Sequence, residues 1–165
     1  MTPTAGKSVH ASAVKVGPRA VLIRGPSGSG KSRLAFELIS SGPCWQLPPT
    51  LLVGDDRVYL DTAGGEIVVR PQPRLAGLIE IRGLGIRQVE FAAEAMVGLI
   101  VDLAADDAER LPSDDALQVS IFGVKIPRIP VASDFAPLPL VVAALTTTKS
   151  SSFGNLSGPL PEANW

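Results

Sequence analysis

The segment from Gly25 to Ser32 limits the possible folds more than any other part of this chain. Its sequence, GPSGSGKS, fits the phosphate-loop pattern G-x-x-x-x-G-K-[S/T]. The apolar run Ala20–Ile23 before it predicts a buried strand, and the spacing of apolar residues from Ser32 to Ser41 predicts a helix after it. This order of elements predicts an α/β fold with a phosphate site between strand and helix.

The residue types of this loop suit the binding of phosphate. Glycines let backbone N–H groups point at phosphate oxygens, the helix N-terminus adds positive potential, Lys31 can reach the outer phosphates, and Ser32 can bind magnesium. The alternative is a flexible Gly/Ser turn with an incidental lysine. The predicted nucleotide-binding residues are Gly25, Pro26, Ser27, Gly28, Ser29, Gly30, Lys31 and Ser32.

Composition narrows the class of protein further. The 165 residues suit one domain, and a 45% apolar content is enough for a core. A net charge of −1 gives no overall attraction to nucleic acid or to an anionic membrane, so we expect neither as a partner. Cys44 is the single cysteine, which excludes an intrachain disulfide and favours a reducing, cytoplasmic location.

The rest of the chain predicts mainly strands. We expect a single P-loop domain over 1–145 and a flexible tail over 146–165, which is rich in Ser, Thr, Gly and Pro. Ala92–Met96 suggests a short helix, and Leu138–Leu145 is either a helix or a strand. Predicted strands are Leu51–Val53, the hairpin Val58–Leu60 with Glu66–Val69, Ile79–Arg82, Val97–Leu103, Leu117–Phe122 and Val124–Val131.

Two acidic positions compete for a role beside the phosphates. Asp55 and Asp56 follow the Leu51–Val53 strand, so at least one carboxylate lies near the loop if this strand neighbours the one before the loop in a parallel sheet. Such an acid can bind metal or accept a proton. Asp102 also ends an apolar strand, which is how many P-loop NTPases present their magnesium-side carboxylate. The alternatives are an acidic turn for the pair and a solvated strand end for Asp102.

Three segments together resemble the C-terminal catalytic domain of the HPr kinase/phosphorylase family, in a short form without the family's N-terminal domain. They are GPSGSGKS, LLVGDDRV and, most specifically, LIEIRGLGI. The resemblance implies a P-loop kinase core with a mixed sheet, and a protein-serine kinase that uses ATP or pyrophosphate with Mg²⁺. The acceptor is the phosphocarrier HPr of a phosphotransferase system, and the reverse phosphorolysis yields pyrophosphate. It also implies a homo-oligomer, a hexamer in the family.

The same resemblance implies roles for individual residues. Asp55 would accept the serine proton, with Asp56 supporting it, and Lys31 would contact the transferred phosphate. Ser32 and Glu80 would hold magnesium, a pairing that demotes Asp102. His10 would sit beside phosphate and the acid, and Arg110 would be an active-site arginine. The segment Ile79–Gln88, which includes Arg82, corresponds to the family signature.

The segment Ile126–Val131, with Arg128, is similar to a family loop tied to dephosphorylation. After it, Ser133–Pro137 replaces the family's Gly-Arg-Asn type stretch, which makes kinase action better supported than phosphorolysis. Two other functions stay open at this point. One is a different P-loop kinase or NTPase with Asp102 on the metal, and the other is a nonenzymatic nucleotide-sensing module.

Overall fold

The computed structural model describes residues 6–41 and 47–149, and this part of the chain is built mainly of strands. The elements before the first helix and the helix itself are β1 (Lys7–Val9), β2 (Ser12–Val16), β3 (Arg19–Arg24) and α1 (Lys31–Ser41). They are followed by β4 (Thr50–Gly54), β5 (Val58–Ala63), β6 (Glu66–Pro71), a 3₁₀ turn (Pro73–Leu75), β7 (Leu78–Ile81), β8 (Gly85–Gln88), β9 (Ala95–Leu103), β10 (Gln118–Ile121), β11 (Val124–Val131) and α2 (Pro137–Thr146).

The main sheet is mixed, with strand order β1-β5-β6-β9-β3-β2-β4 and with β11, paired to β10, attached to β9. Strand β9 lies at its centre, parallel to β3 and β11 and antiparallel to β6. Strands β7 and β8 form a separate antiparallel hairpin. This arrangement confirms the predicted α/β class with a mixed sheet around the strand–loop–helix unit.

Strands β3 and β4 run in the same direction, but they are not neighbours. Strand β2 lies between them and is antiparallel to both, with Ser12 opposite Ile23 and Ala13 opposite Gly54. The condition under which Asp55 was expected near the loop, adjacent strands, is therefore not met, because the short segment before β3 folds back as an intervening strand. Their carboxyl ends still reach the same edge of the sheet, which brings the loop after β3 close to Asp55 after β4.

The sheet separates two clusters of buried side chains. Alternate residues of β3 serve different clusters: Val21 and Ile23 pack with α1, whereas Ala20 and Leu22 face the other side. The first cluster includes Leu34 of α1 and residues of α2. The second is formed almost entirely by strands, with buried residues of β5, β6 and β11 in one cluster with residues of β3 and β9.

A bulge at Gly98 shifts the faces of β9. Val97 pairs with Ala20, but the next pair is Leu99 with Val21, so one residue of β9 is extra. Beyond the bulge Leu99 and Val101 join the helix-side cluster, and Ile100 joins the other. Asp102, two residues after Ile100, therefore shares the face that α1 does not cover.

Most of the other predicted elements are confirmed, including the β5–β6 hairpin. The segment Leu138–Leu145, for which the sequence allows either a helix or a strand, lies in α2. The helix predicted over Ala92–Met96 is wrong: Ala95 and Met96 begin β9 and pair with β6, so tertiary pairing overrides the helix propensity of alanine. No helix in the described residues is long and apolar enough to cross a bilayer. Cys44 and the tail from residue 150 onward lie outside the described residues.

Candidate active site

The loop between β3 and α1 has the backbone shape of a phosphate cradle. Gly28 and Gly30 have φ angles of 81° and 98°, and a Cβ atom on either would meet nothing within 4 Å. This positive-φ geometry favours glycine, and the open space leaves room for a ligand beside the backbone. Gly25 is crowded instead, since its Cβ would lie 2.6 Å from Ser29 Oγ and 3.0 Å from Leu103 Cβ.

Polar groups within the loop fit a phosphate ligand. The Lys31 side chain is buried, and its Nζ donates to the carbonyl oxygens of Gly25 at 2.8 Å and Pro26 at 3.1 Å. Ser29 Oγ is also buried and has no hydrogen-bond partner among the described residues. A buried ammonium group and an unpaired buried hydroxyl are both stabilised by an anion in the cradle.

Asp55 is the point at which three elements meet. Its carboxylate is only 4% exposed and accepts hydrogen bonds from Ser12 Oγ of β2 at 2.6 Å and from Ser32 Oγ of α1 at 2.8 and 2.9 Å. The backbone N–H of Glu80 in β7 donates to it at 3.1 Å. The predicted position of Asp55 beside the loop is therefore observed. Sequence reasoning missed Ser12. The one feature of the sequence that could have indicated it is a polar residue at a position that shares a strand face with the apolar Val14 and Val16.

The two predicted metal ligands lie around this carboxylate. Ser32 contacts Asp55 through its side chain, and Glu80 does so through its backbone, with an exposed side chain. In the described part of the chain, no group of three or more His, Cys, Asp or Glu side chains could hold a metal alone. A hydroxyl and a few carboxylates nevertheless suit Mg²⁺, which keeps several waters and takes few protein ligands beside phosphate oxygens.

His10 is next to the second acid of the pair. Its Nε2 lies 3.0 Å from Asp56 Oδ1, and both side chains are exposed. Asp56 has a φ of 64°, a left-handed turn conformation, and it directly follows the buried Asp55. His10 is therefore joined to the acidic pair through Asp56, and its predicted role beside phosphate and Asp55 stays a prediction.

Asp102 is engaged in a separate ionic cluster. Arg24, the last residue before the loop, donates to its two carboxylate oxygens at 2.6 and 2.7 Å, and Arg128 Nε donates at 2.5 Å. Arg128 also forms a two-pronged pair with Asp107 at 2.7 and 2.9 Å. Burial opposes ionisation of Asp102, but hydrogen bonds from both arginines outweigh it and lower the pKa of this carboxyl. Hydrogen bonding to Asp107 and Asp102 raises the pKa of Arg128.

This cluster corrects the expectation for Asp102. Asp102 is not a solvated strand end, and both of its oxygens are occupied by arginines, which argues against a role as metal ligand. Arg128 holds β11 to β9 through Asp102, and the predicted link of its segment to dephosphorylation stays a prediction. Arg24 was missed because an arginine before a glycine loop carries no distinctive pattern.

Arg110 is not joined to the site by any contact within the described residues. Its side chain is exposed in the segment between β9 and β10, and no hydrogen bond or ion pair links it to the loop or to Asp55. Its predicted role stays a prediction.

One cavity in the described part of the chain lies away from these residues. It has a volume of about 1010 Å³ and is lined mainly by apolar residues of β6, β9, β11 and the end of α2. Its lining does not include the glycine loop or Asp55, so we place the candidate active site at the cradle instead.

Comparison with known proteins decides the family. The family described as HPr Serine kinase C-terminal domain matches residues 3–155, most of the chain. The chain belongs to this family. HPr kinase/phosphorylase of Mycoplasma mycoides is 33% identical over 94% of the chain, and that of Enterococcus faecalis is 43% identical over 75%. The solved structure of the HPr(Ser) kinase/phosphatase from Coxiella burnetii covers 84% of this chain and 93% of its own, with a TM-score of 0.65 and 27% identity.

These similarities confirm the HPr kinase family and its P-loop kinase core. The chain spans about half the length of the curated relatives it matches, namely 52% of the Mycoplasma protein and 42% of the Enterococcus protein. The comparisons therefore establish the family and the fold of the chain. Its activity is proposed below.

Proposed function

We propose that this chain transfers a phosphoryl group from ATP, or from pyrophosphate, to a serine of an HPr-type phosphocarrier and thereby regulates a phosphotransferase system. One observation carries the proposal: the carboxylate of Asp55 is hydrogen-bonded to Ser32, the last residue of the phosphate loop. A proton acceptor and a phosphate cradle therefore share one site. Membership of the HPr kinase family supports the substrate class.

In the forward reaction the serine oxygen of the carrier attacks the terminal phosphorus. The bond between this phosphorus and the leaving phosphate breaks as the new P–O bond forms, and the serine proton passes to Asp55. Lys31 turns from the carbonyls of Gly25 and Pro26 to the transferred group, where its charge offsets the charge that develops on the oxygens. Ser32 and Glu80 would hold Mg²⁺, which supplies further charge neutralisation when bound.

The reverse reaction uses the same groups. An oxygen of inorganic phosphate attacks the phosphorus of phosphoserine, and the bond between this phosphorus and the serine oxygen breaks as the P–O–P bond of pyrophosphate forms. Asp55 takes the proton of the attacking hydrogen phosphate and gives a proton to the leaving serine oxygen. His10, paired to Asp56, is available to hold the incoming phosphate beside the acid, and Arg110 is proposed as a further phosphate contact. We also propose that the chain acts in the cytoplasm and that it assembles into a homo-oligomer, which the family resemblance suggests is a hexamer.

The test is direct phosphorylation of a carrier. The purified chain is incubated with Mg²⁺, an HPr-type protein and either labelled ATP or pyrophosphate, and mass spectrometry locates the modified residue. We expect phosphoserine on the carrier with the wild-type chain and none with Lys31→Met. Nucleotide binding without any transfer would overturn the proposal in favour of a nucleotide-sensing module. The Asp102 cluster gives no support to an NTPase that uses this acid on its metal.

A further inference from the structure

Ser12 is a buried hydroxyl to which neither the motifs nor the family resemblance gives a role. It begins β2, is completely inaccessible to solvent, and donates to Asp55 Oδ1 at 2.6 Å, its one side-chain hydrogen bond in the described residues. The alternation of β2 puts Val14 and Val16 on the same face, within the apolar cluster under α1. A hydroxyl in line with two core valines is unusual unless it has a specific partner.

The position of Ser12 follows from the intervening strand. Its partner on β3 is Ile23, two residues before the phosphate loop, and the next residue, Ala13, pairs with Gly54, just before Asp55. Ser12 itself pairs with β3, and its neighbour Ala13 pairs with β4, so backbone pairing holds this part of β2 between the strand that ends in the cradle and the strand that ends in the acid.

Ser12 complements the other two donors to Asp55. Ser32 belongs to the phosphate loop and is a proposed metal ligand, and Glu80 N belongs to a hairpin separate from the main sheet. Both belong to residues that are proposed to hold magnesium, whereas Ser12 lies within the main sheet and has no other side-chain partner among the described residues. A carboxylate that must accept a proton in a fixed direction benefits from one donor that stays in place.

We propose that Ser12 is a positioning residue for Asp55: its hydroxyl holds Oδ1 and keeps the carboxylate aligned for proton transfer through the catalytic cycle. The proposal rests on the proposed function, because it assigns Asp55 the role of proton acceptor. It requires no direct contact between Ser12 and any substrate.

The experiment compares Ser12→Ala with the wild-type chain in carrier phosphorylation. We expect kcat to fall roughly 10- to 100-fold, the effect of losing a hydrogen bond to a charged group, while KM for ATP changes less than about twofold. Ser12→Thr keeps the hydroxyl and should recover most of the rate. Ser40→Ala is the matched control, because it removes an exposed serine hydroxyl from the far end of α1.

A double-mutant cycle separates positioning from a general loss of structure. In the Asp55→Asn background, Ser12→Ala should have little further effect on the rate, since the group it aligns is already disabled. Thermal melting of each variant without ligand verifies folding. The cycle does not use Ser12→Thr, so it stays interpretable if the threonine methyl does not fit.

An unchanged kcat in Ser12→Ala would overturn the inference, as would a full additional loss in the Asp55→Asn background. Failure of the wild-type chain to phosphorylate the carrier would instead overturn the proposed function. The two failures are therefore distinguishable.

Discussion

The hydroxyl of Ser32 donates to both carboxylate oxygens of Asp55, at 2.8 and 2.9 Å. Ser32 is the last residue of the phosphate loop and follows Lys31 at the start of α1, so this contact joins the cradle to the acid directly. It forms although β3 and β4 are not adjacent, because the intervening strand leaves both carboxyl ends at one edge of the sheet.

Lys31→Met should abolish transfer while the fold persists. The long apolar side chain replaces the buried stem of the lysine, but the charge that would meet the outer phosphates is lost. We expect ATP affinity, measured by calorimetry, to fall roughly tenfold and the transfer rate roughly 100-fold or more. Arg33→Met, on the exposed side of the same helix, is the control and should bind ATP like the wild-type chain.

Asp102→Asn should destabilise the fold. The substitution leaves Arg24 and Arg128 without their shared carboxylate, and we expect the free energy of unfolding to fall by about 2 to 3 kcal/mol at pH 7. Urea unfolding measures this loss. Asp114→Asn breaks an exposed pair with Lys149 and should cost less than about 1 kcal/mol; equal losses in the two variants would contradict the account.

The same cluster predicts how stability depends on pH. The pKa of Asp102 is lowered from 3.8 in the folded chain, so the unfolded chain binds more protons as the pH falls. The stabilisation from Asp102 is therefore complete above its ordinary pKa and is lost as the pH drops through the lower folded value. Urea midpoints measured from pH 6 down to pH 3 should fall less steeply for Asp102→Asn than for the wild-type chain. A parallel fall would contradict the prediction.

Gly54→Ala should be poorly tolerated. A Cβ at this position would lie 2.6 Å from Val58 Cγ1 and 3.3 Å from the backbone Cα of Pro71, so the strand end that carries Asp55 must shift. We expect a loss of about 1 to 3 kcal/mol in urea unfolding together with lower activity. Gly98→Ala is the comparison, because the three atoms nearest to its Cβ would all belong to the side chain of Arg19, and it should lose less.

Local pattern predicted the strand–loop–helix unit, since glycine spacing and apolar periodicity act over a few residues. It also indicated that at least one acid of the pair would lie near the loop if the two strands were neighbours, and Asp55 lies there although they are not. Features that depend on long-range pairing were not predictable: β2 as an intervening strand, Ser12 on the acid, and the bulge at Gly98 that turns Asp102 to the face opposite α1. The ionic cluster of Arg24, Asp102 and Arg128 joins three strands and leaves no signal in any one of them.

The central claim is that Asp55, and not Asp102, serves the chemistry at the loop. The most direct measurement is the rate of phosphoserine formation on an HPr-type carrier by the wild-type chain, Asp55→Asn and Asp102→Asn, at a temperature where all three are folded. We predict that Asp55→Asn is slower by roughly 100-fold or more with ATP affinity retained, and that Asp102→Asn stays within about tenfold of the wild-type rate. A wild-type rate in Asp55→Asn, or an equal loss in Asp102→Asn, would contradict the account.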